Sequence, residues 1–533
     1  MTEQFDVVVA GGGHNSLTCA AYLAKAGLSV LVLEARPVAG GDTVTEELTL
    51  PGFWHDTCSS AHVLFQSSPV WRNNELDLER HGLSYIYPDP VVTFPFPDGS
   101  SLTIWRDIQR TAAEFALFSR RDAEAYLRMM AAYEAVKKVF GQVRFTPVGY
   151  GPSQDEALLA QPDGPLWVRR SKQSALEIIE QNFEHDHIRA AMLWLSFMTL
   201  QAVDLPGTGR NAYAVANGRQ NYSWTTPVGG SGMLAKALVA FLEEHGGVVL
   251  TGQRVVELIL ENGRCTGVVT AAGETYRAKK AVVSTIHIKH LVDMAPKTAW
   301  GSLFVQGVEQ WQPGYTMFVA HYALREPPRY PLKDASLPVV AAGTPESTDN
   351  MLALMGDFRR GLLHQDDPVL LVINSSLVDE TRTPPGKHTL KVISFFPYQL
   401  AGHAPEYWDE IKQSVADHNL EHLRRYAPNI SEDAILGEYI ESPLDLERYN
   451  AHNWHGSCHG GAATPSQSGS LRPVPGWASH RMPIPGLYQT GATTHPGGSV
   501  TGGPGRNAAW VLLDDLGIPF HSVLAQKGET RHA

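Results

Sequence analysis

The stretch FDVVVAGGGHNSLTCAAYLAKAGLSVLVLEA occupies residues 5–35, and the fold follows from it. The apolar run from Phe5 to Ala10 reads as a fully buried parallel strand. Leu17, Ala20, Ala21, Leu23 and Ala24 then give a helix-like apolar face, and Ser29 to Leu33 make a second strand. Between strand and helix, Gly11 permits a tight turn and Gly13 lets backbone approach a pyrophosphate. The helix beginning near Asn15 offers that charge free N–H groups and a positive dipole end. Ser16 stands where the usual pattern has a third glycine, and its small side chain still lets helix and strand pack closely.

Glu34 ends the second strand, 23 residues after Gly11, where a carboxylate accepts hydrogen bonds from ribose hydroxyls. Arg36 would suit a 2'-phosphate, which Glu34 would repel. Gly40 and Gly41 form a second pair at which the chain can pass close to a ligand. Near the other end, GLYQTGATTHPGGSVTGGPGRNAAWVLLDDLG repeats the order of strand, glycine-rich turn and helix, with the strand at Gly486 to Gln489 and the helix from about Pro504.

Four blocks in this order, AGGGHNSL with Glu34, ARPVAGGD, TPVGGSGMLAKAL at 226–238 and TGATTHPGGSVTGGPGRNAA at 490–509, resemble the phytoene desaturase-like superfamily of FAD-dependent oxidoreductases. That group includes carotenoid desaturases, isomerases and ketolases and retinol saturase, with the amine oxidases as more distant relatives. The resemblance implies an α/β fold: a Rossmann-like FAD-binding domain with an inserted α+β substrate domain. It implies FAD as cofactor, with Gly11, Gly13 and Ser16 at the pyrophosphate and Glu34 at the adenosine ribose. Arg36 and Gly41 would lie along the diphosphate and ribityl chain, and the backbone of Val255 would meet adenine. Gly491 and Ala492 would face the ribityl side, and Ser499 and Val500 would offer N–H groups to the flavin carbonyl edge. Ala492 replaces the acidic residue frequent in amine oxidases, which favours the desaturase-like branch, and Asp42 stands where the group often has Arg.

The cofactor domain is expected to be discontinuous, from residues 1–70, 226–294 and 480–525. Residues 71–225 and 295–479 are expected to fold together as a cap or substrate domain, leaving 526–533 as a flexible tail. Asn262-Gly263 and Ala272-Gly273 mark turns between short strands, and TMFVAHYAL and KHTLKVISFF read as strands of the second insertion.

Composition narrows the function. A formal net charge of -12 over 533 residues argues against a nucleic-acid partner, which needs concentrated Lys and Arg. The four cysteines, Cys19, Cys58, Cys265 and Cys458, contain no CxxC pair, and a reducing, cytoplasmic setting fits them. The longest apolar stretch, AAMLWLSFMTLQAV at 190–203, is too short to span a bilayer. It reads as a core helix, with a tunnel lining or a peripheral membrane contact as alternatives.

FAD takes a hydride without a protein nucleophile, which suits a chain with no Gly-x-Ser-x-Gly elbow, no HExxH and no zinc-like cysteine spacing. His455, Cys458 and His459 read as part of a glycine-rich loop over the site, with no metal. His495, in the last block, and His62 are the candidate proton donors, each with a purely structural alternative. Arg506 is expected to anchor its helix or a phosphate, and Asp56 to cap a loop. Trp194, Phe197 and Met198 suggest either a greasy tunnel or plain core. The expected partners are an apolar small-molecule substrate and an electron acceptor, whether oxygen, a quinone or a carrier protein. An amine oxidase-like enzyme and a non-catalytic FAD-binding interaction protein are the competing readings.

Overall fold

The strand Phe5–Ala10 pairs in parallel with Val30–Leu33 on one side and with Thr275–Ser284 on the other. In this computed structural model, which describes residues 4–525 apart from Lys333 and Ala335, these strands form the middle of a seven-stranded sheet. The tail expected at 526–533 lies outside the described residues. Val248–Leu250 extends the sheet beyond Val30–Leu33. At the opposite side Leu487–Gln489 pairs in parallel with the end of Thr275–Ser284, placing the C-terminal block beside the N-terminal one. The start of Thr275–Ser284 instead pairs antiparallel with Arg264–Thr270, which forms a hairpin with Val255–Glu261. Asn262 and Gly263, at φ 50° and 77°, make its two-residue turn, as the twist of such hairpins requires.

Every residue of Phe5–Ala10 and Val30–Leu33 except Asp6 is buried, because helices cover one face and the hairpin side covers the other. Helix His14–Lys25 lies between Gly232–Glu244 and Gly503–Asp515. Its residues from Asn15 to Ala24 are all buried. The last helix comes so close that a Cβ on Gly505 would stand 2.0 Å from the Asn15 carbonyl oxygen. The core on this side also takes in Leu76, Leu78 and Leu83. On the other face, Trp300, Phe304, Val308, Trp311 and Val474 pack with the hairpin.

A second sheet of seven strands runs in the order Ile435–Glu441, Phe318–Leu324, His388–Ser394, Leu371–Ile373, Ala341–Gly343, Val92–Pro95 and Ser101–Ile104. It is antiparallel except where Ala342 meets Thr93. Helices drawn from residues 108–222 cover one face, and Trp408–Arg424 covers the other. Successive side chains therefore alternate between two cores: Val319 enters the first, Phe318 and Ala320 the second. Helix Asp186–Phe197, inside the stretch read as a core helix, is buried from Ala190 to Phe197. Among the described residues no helix is long and apolar enough to cross a membrane.

Candidate functional site

A cavity of about 760 Å³ opens where the two sheets meet, in the upper part of the ~300–1,000 Å³ range of small-molecule sites. Its first wall is the turn after Phe5–Ala10, formed by Gly11, Gly13, His14 and Asn15. Gly11 has φ +100°, and a Cβ there would fall 2.4 Å from the Thr285 methyl group, so only glycine fits. Gly13 caps helix His14–Lys25 without any side-chain acceptor for the first turn. The free N–H groups and the positive helix end thus face the cavity, as an anion such as a pyrophosphate requires.

Glu34 and Arg36 form the next wall. One Glu34 oxygen accepts the Gly12 N–H at 2.7 Å and the other accepts the Arg36 N–H at 2.8 Å. Arg36 in turn donates to the Gly41 carbonyl at 2.6 Å and lies 4.4 Å over the Tyr449 ring. Val255, which starts the hairpin, reaches the same cavity, as does Gly41. From the C-terminal block come Gly491, Ala492, Ser499 and Val500. The Ala492 carbonyl is held by Arg472, whose Nε donates at 2.9 Å and Nη2 at 2.6 Å. Helix Gly503–Asp515 begins just beyond, its first N–H donating to the Thr501 hydroxyl at 3.0 Å. An open helix start, the Glu34 carboxylate in the wall and a glycine-lined floor fit a dinucleotide carrying a ring at the Gly491–Val500 end.

Three expected site residues stand elsewhere. Ser16 is fully buried off the cavity, and its hydroxyl donates back to the Gly13 carbonyl at 2.9 Å, so it shapes the turn instead of touching a phosphate. His495 lies outside the wall, and its Nε2–H donates to the Val143 carbonyl at 3.0 Å. Burial pushes it down to about 4, which leaves a neutral ring with its N–H committed. His62 is also off the wall, with Ser231 Oγ 2.8 Å from Nε2 and Tyr85 Oη 3.0 Å from Nδ1. Burial holds it at about 3. Both rings thus make the backbone and side-chain bonds that the structural alternative for each describes. Asp56 caps the glycine turn before helix Gly232–Glu244 by accepting the Ser231 N–H, and it also accepts from the Thr45 hydroxyl, both at 2.8 Å, and forms a buried ion pair with Arg382. Arg506 anchors its helix through Glu75, at 2.7 and 3.0 Å. Trp194 is core, its indole N–H on the Leu370 carbonyl, and of the three tunnel candidates Met198 lines the cavity.

Other histidines do line it. His14, His452 and His459 share the wall, and burial lowers all three, His14 and His459 to about 4. His452 donates from Nδ1 to the Thr285 carbonyl at 2.8 Å, while His14 Nε2 is buried with no partner. Asp42 accepts from Asn450 and Asn453 at 2.7 and 3.1 Å, tying the second glycine block to the segment RYNAHNWHG. The position of His14, directly after GGG at a helix start, was the available signal for it. Nothing local marks His452.

The geometry is matched by similarity along the whole chain. Over 97% of its length this chain is 28% identical to the rat pyridine nucleotide-disulfide oxidoreductase domain-containing protein 2, of which 94% is covered. It is 27% identical to a limonene dehydrogenase subunit of Castellaniella defragrans, covering 97% of this chain and 96% of that one. A lycopene-forming phytoene desaturase of a Paracoccus strain is 25% identical, with 96% and 97% covered. The model of the family described as flavin containing amine oxidoreductase matches residues 17–513, which begin just inside helix His14–Lys25 and take in Glu34 and the C-terminal loop. The chain is an FAD-dependent oxidoreductase and belongs to the flavin containing amine oxidoreductase family.

Proposed function

We propose that this enzyme desaturates or otherwise dehydrogenates an apolar substrate by hydride transfer to the flavin. The observation that carries this reading is the continuity of the cavity. From the Gly491–Val500 loop it runs without a break onto a wall of Met198, Leu200, Val215, Met317, Leu371, Ile373, Ile393 and Phe395. Bound FAD supplies a hydride acceptor at N5. The chain's own residues then have two tasks: to hold a C–H bond against that atom and to exclude water. An apolar wall drawn from the second sheet and from helix Gly209–Tyr222 is suited to both. The limonene dehydrogenase and the phytoene desaturase, by their names, are relatives whose substrates agree with such a wall.

The test is anaerobic bleaching of the flavin. The purified yellow protein is mixed with alicyclic and linear isoprenoids and, in parallel, with primary and secondary amines. Loss of the visible flavin bands with an isoprenoid and not with the amines is expected. Bleaching by amines alone would overturn the proposal in favour of amine oxidation. Reoxidation by air, by a quinone or only by a carrier protein then assigns the electron acceptor.

A further inference from the structure

We infer that the substrate of this cavity carries a carboxylate at one end of its apolar body, and that Arg219 receives it. The inference rests on the reading of the cavity as a substrate site. Helix Gly209–Tyr222 lays Arg210, Asn211, Ala214, Val215, Gly218 and Arg219 along the wall. Their spacing makes two adjacent rows on one helix face. The middle of this face is small and apolar and its ends are cationic, over about 14 Å of helix.

Arg219 is unlike the other buried arginines. Arg506 faces Glu75, Arg382 faces Asp56, and Arg472 donates to four backbone carbonyls. Arg219 forms no ion pair among the described residues. Its Nη1 is buried without an acceptor. Its guanidinium stacks 3.7 Å over the Trp224 ring, another cavity residue, and only 9% of the residue is exposed. Burial pushes the group down to about 9, with no carboxylate opposing the shift. A buried cation without a counter-charge is costly unless a ligand brings one. The planar fork held over the indole offers paired N–H groups, the geometry that matches a carboxylate. The cofactor's own phosphates are already provided for at the helix start near Gly13. Two more arginines of this unit, Arg144 and Arg210, stand together at the opposite end of the helix face, where Arg210 also reaches Gln154 Oε1 at 3.4 Å.

The test uses the FAD-loaded enzyme and two probes of equal chain length, decanoate and decan-1-ol, titrated by calorimetry at pH 8. Wild type is expected to bind decanoate at least about tenfold more tightly than the alcohol, as a hydrogen bond to a charged group implies. Arg219→Gln should keep its flavin and bring the two affinities within about twofold of each other. Arg219→Lys, which keeps the charge and loses the fork, should retain part of the preference. Equal affinities in wild type would overturn the inference without recourse to any variant. So would loss of flavin in Arg219→Gln, which would assign the residue to the cofactor, or a preference that survives Arg219→Gln and disappears in Arg144→Gln. Failure of the hydride-transfer reading has a different signature: a flavin that no apolar compound bleaches, with the acid preference intact.

Discussion

Replacing Glu34 with Gln removes one charge and one acceptor while keeping the shape of the side chain. In the structure the two carboxylate oxygens serve different donors: Oε2 takes the Gly12 N–H at 2.7 Å and Oε1 takes the Arg36 N–H at 2.8 Å. An amide has a single acceptor oxygen, so in either orientation its NH₂ group confronts one of these donors. The site is 7% exposed, so water cannot repair the mismatch. One charge-assisted bond lost and one donor stranded correspond to about 2–4 kcal/mol. That is roughly a 30- to 1,000-fold weakening of any ligand that needs the turn and the Arg36 segment in place. Glu34→Ala strands both donors and should be at least as severe. The assay is FAD content after gel filtration, followed by titration of apoprotein with FAD and read as quenching of flavin fluorescence. Wild-type occupancy and affinity in Glu34→Gln would refute the argument, because the carboxylate would then be dispensable to the cradle.

Four further outcomes are expected. Gly13→Val should fold, since a Cβ there meets nothing closer than 3.8 Å, yet its side chain projects into the phosphate cradle, so FAD binding should weaken by more than about tenfold with a near-normal melting temperature. His495→Ala loses the bond to the Val143 carbonyl and should cost about 1 kcal/mol of stability; once loaded with FAD its reductive rate should stay near wild type, and a rate about a hundredfold lower would return His495 to the chemistry. Arg382→Met leaves Asp56 charged and buried, with both side chains 2% exposed in the native pair, and should destabilise by about 3–5 kcal/mol in urea titration. Burial holds His14, His62, His459 and His495 at about 4, 3, 4 and 4, below the usual value near 6.5. Between those limits the unfolded chain binds more protons, so stability rises with pH there and is lost as pH falls from about 6.5 towards 4, by up to about 1.4 kcal/mol per pH unit for each ring; a denaturation midpoint flat over that window would contradict the burial of these rings.

The cofactor half of the site was legible because its chemistry is local. A turn that needs glycine, a helix start and a strand-end carboxylate all fall within residues 5–35, and each is imposed by backbone geometry. The orientation of His495 was not legible for the opposite reason. Whether His495 points into the cavity or away from it is decided by a carbonyl 352 residues distant along the chain. Asp56 likewise finds its partner Arg382 across 326 residues. Ser16 sat in the right motif, but a hydroxyl can turn back on its own turn, an option a glycine lacks. Alternation in the second sheet left a different ambiguity. Leu371, Ile373, Ile393 and Phe395 face the cavity, while Val372, Val392 and Phe396 enter the core beside Trp408–Arg424. Both sets are apolar, so the pattern of period two reads the same from either side. The lone charged residue of strand His388–Ser394 breaks that symmetry. Lys391 Nζ donates to the carbonyls of Asp56 and Cys58 at 2.9 and 2.6 Å, and its side chain alternates in step with Ile393. A lysine inside a strand that is otherwise largely buried therefore marks the face that meets the Asp56–Cys58 segment, and with it the side chains that wall the cavity.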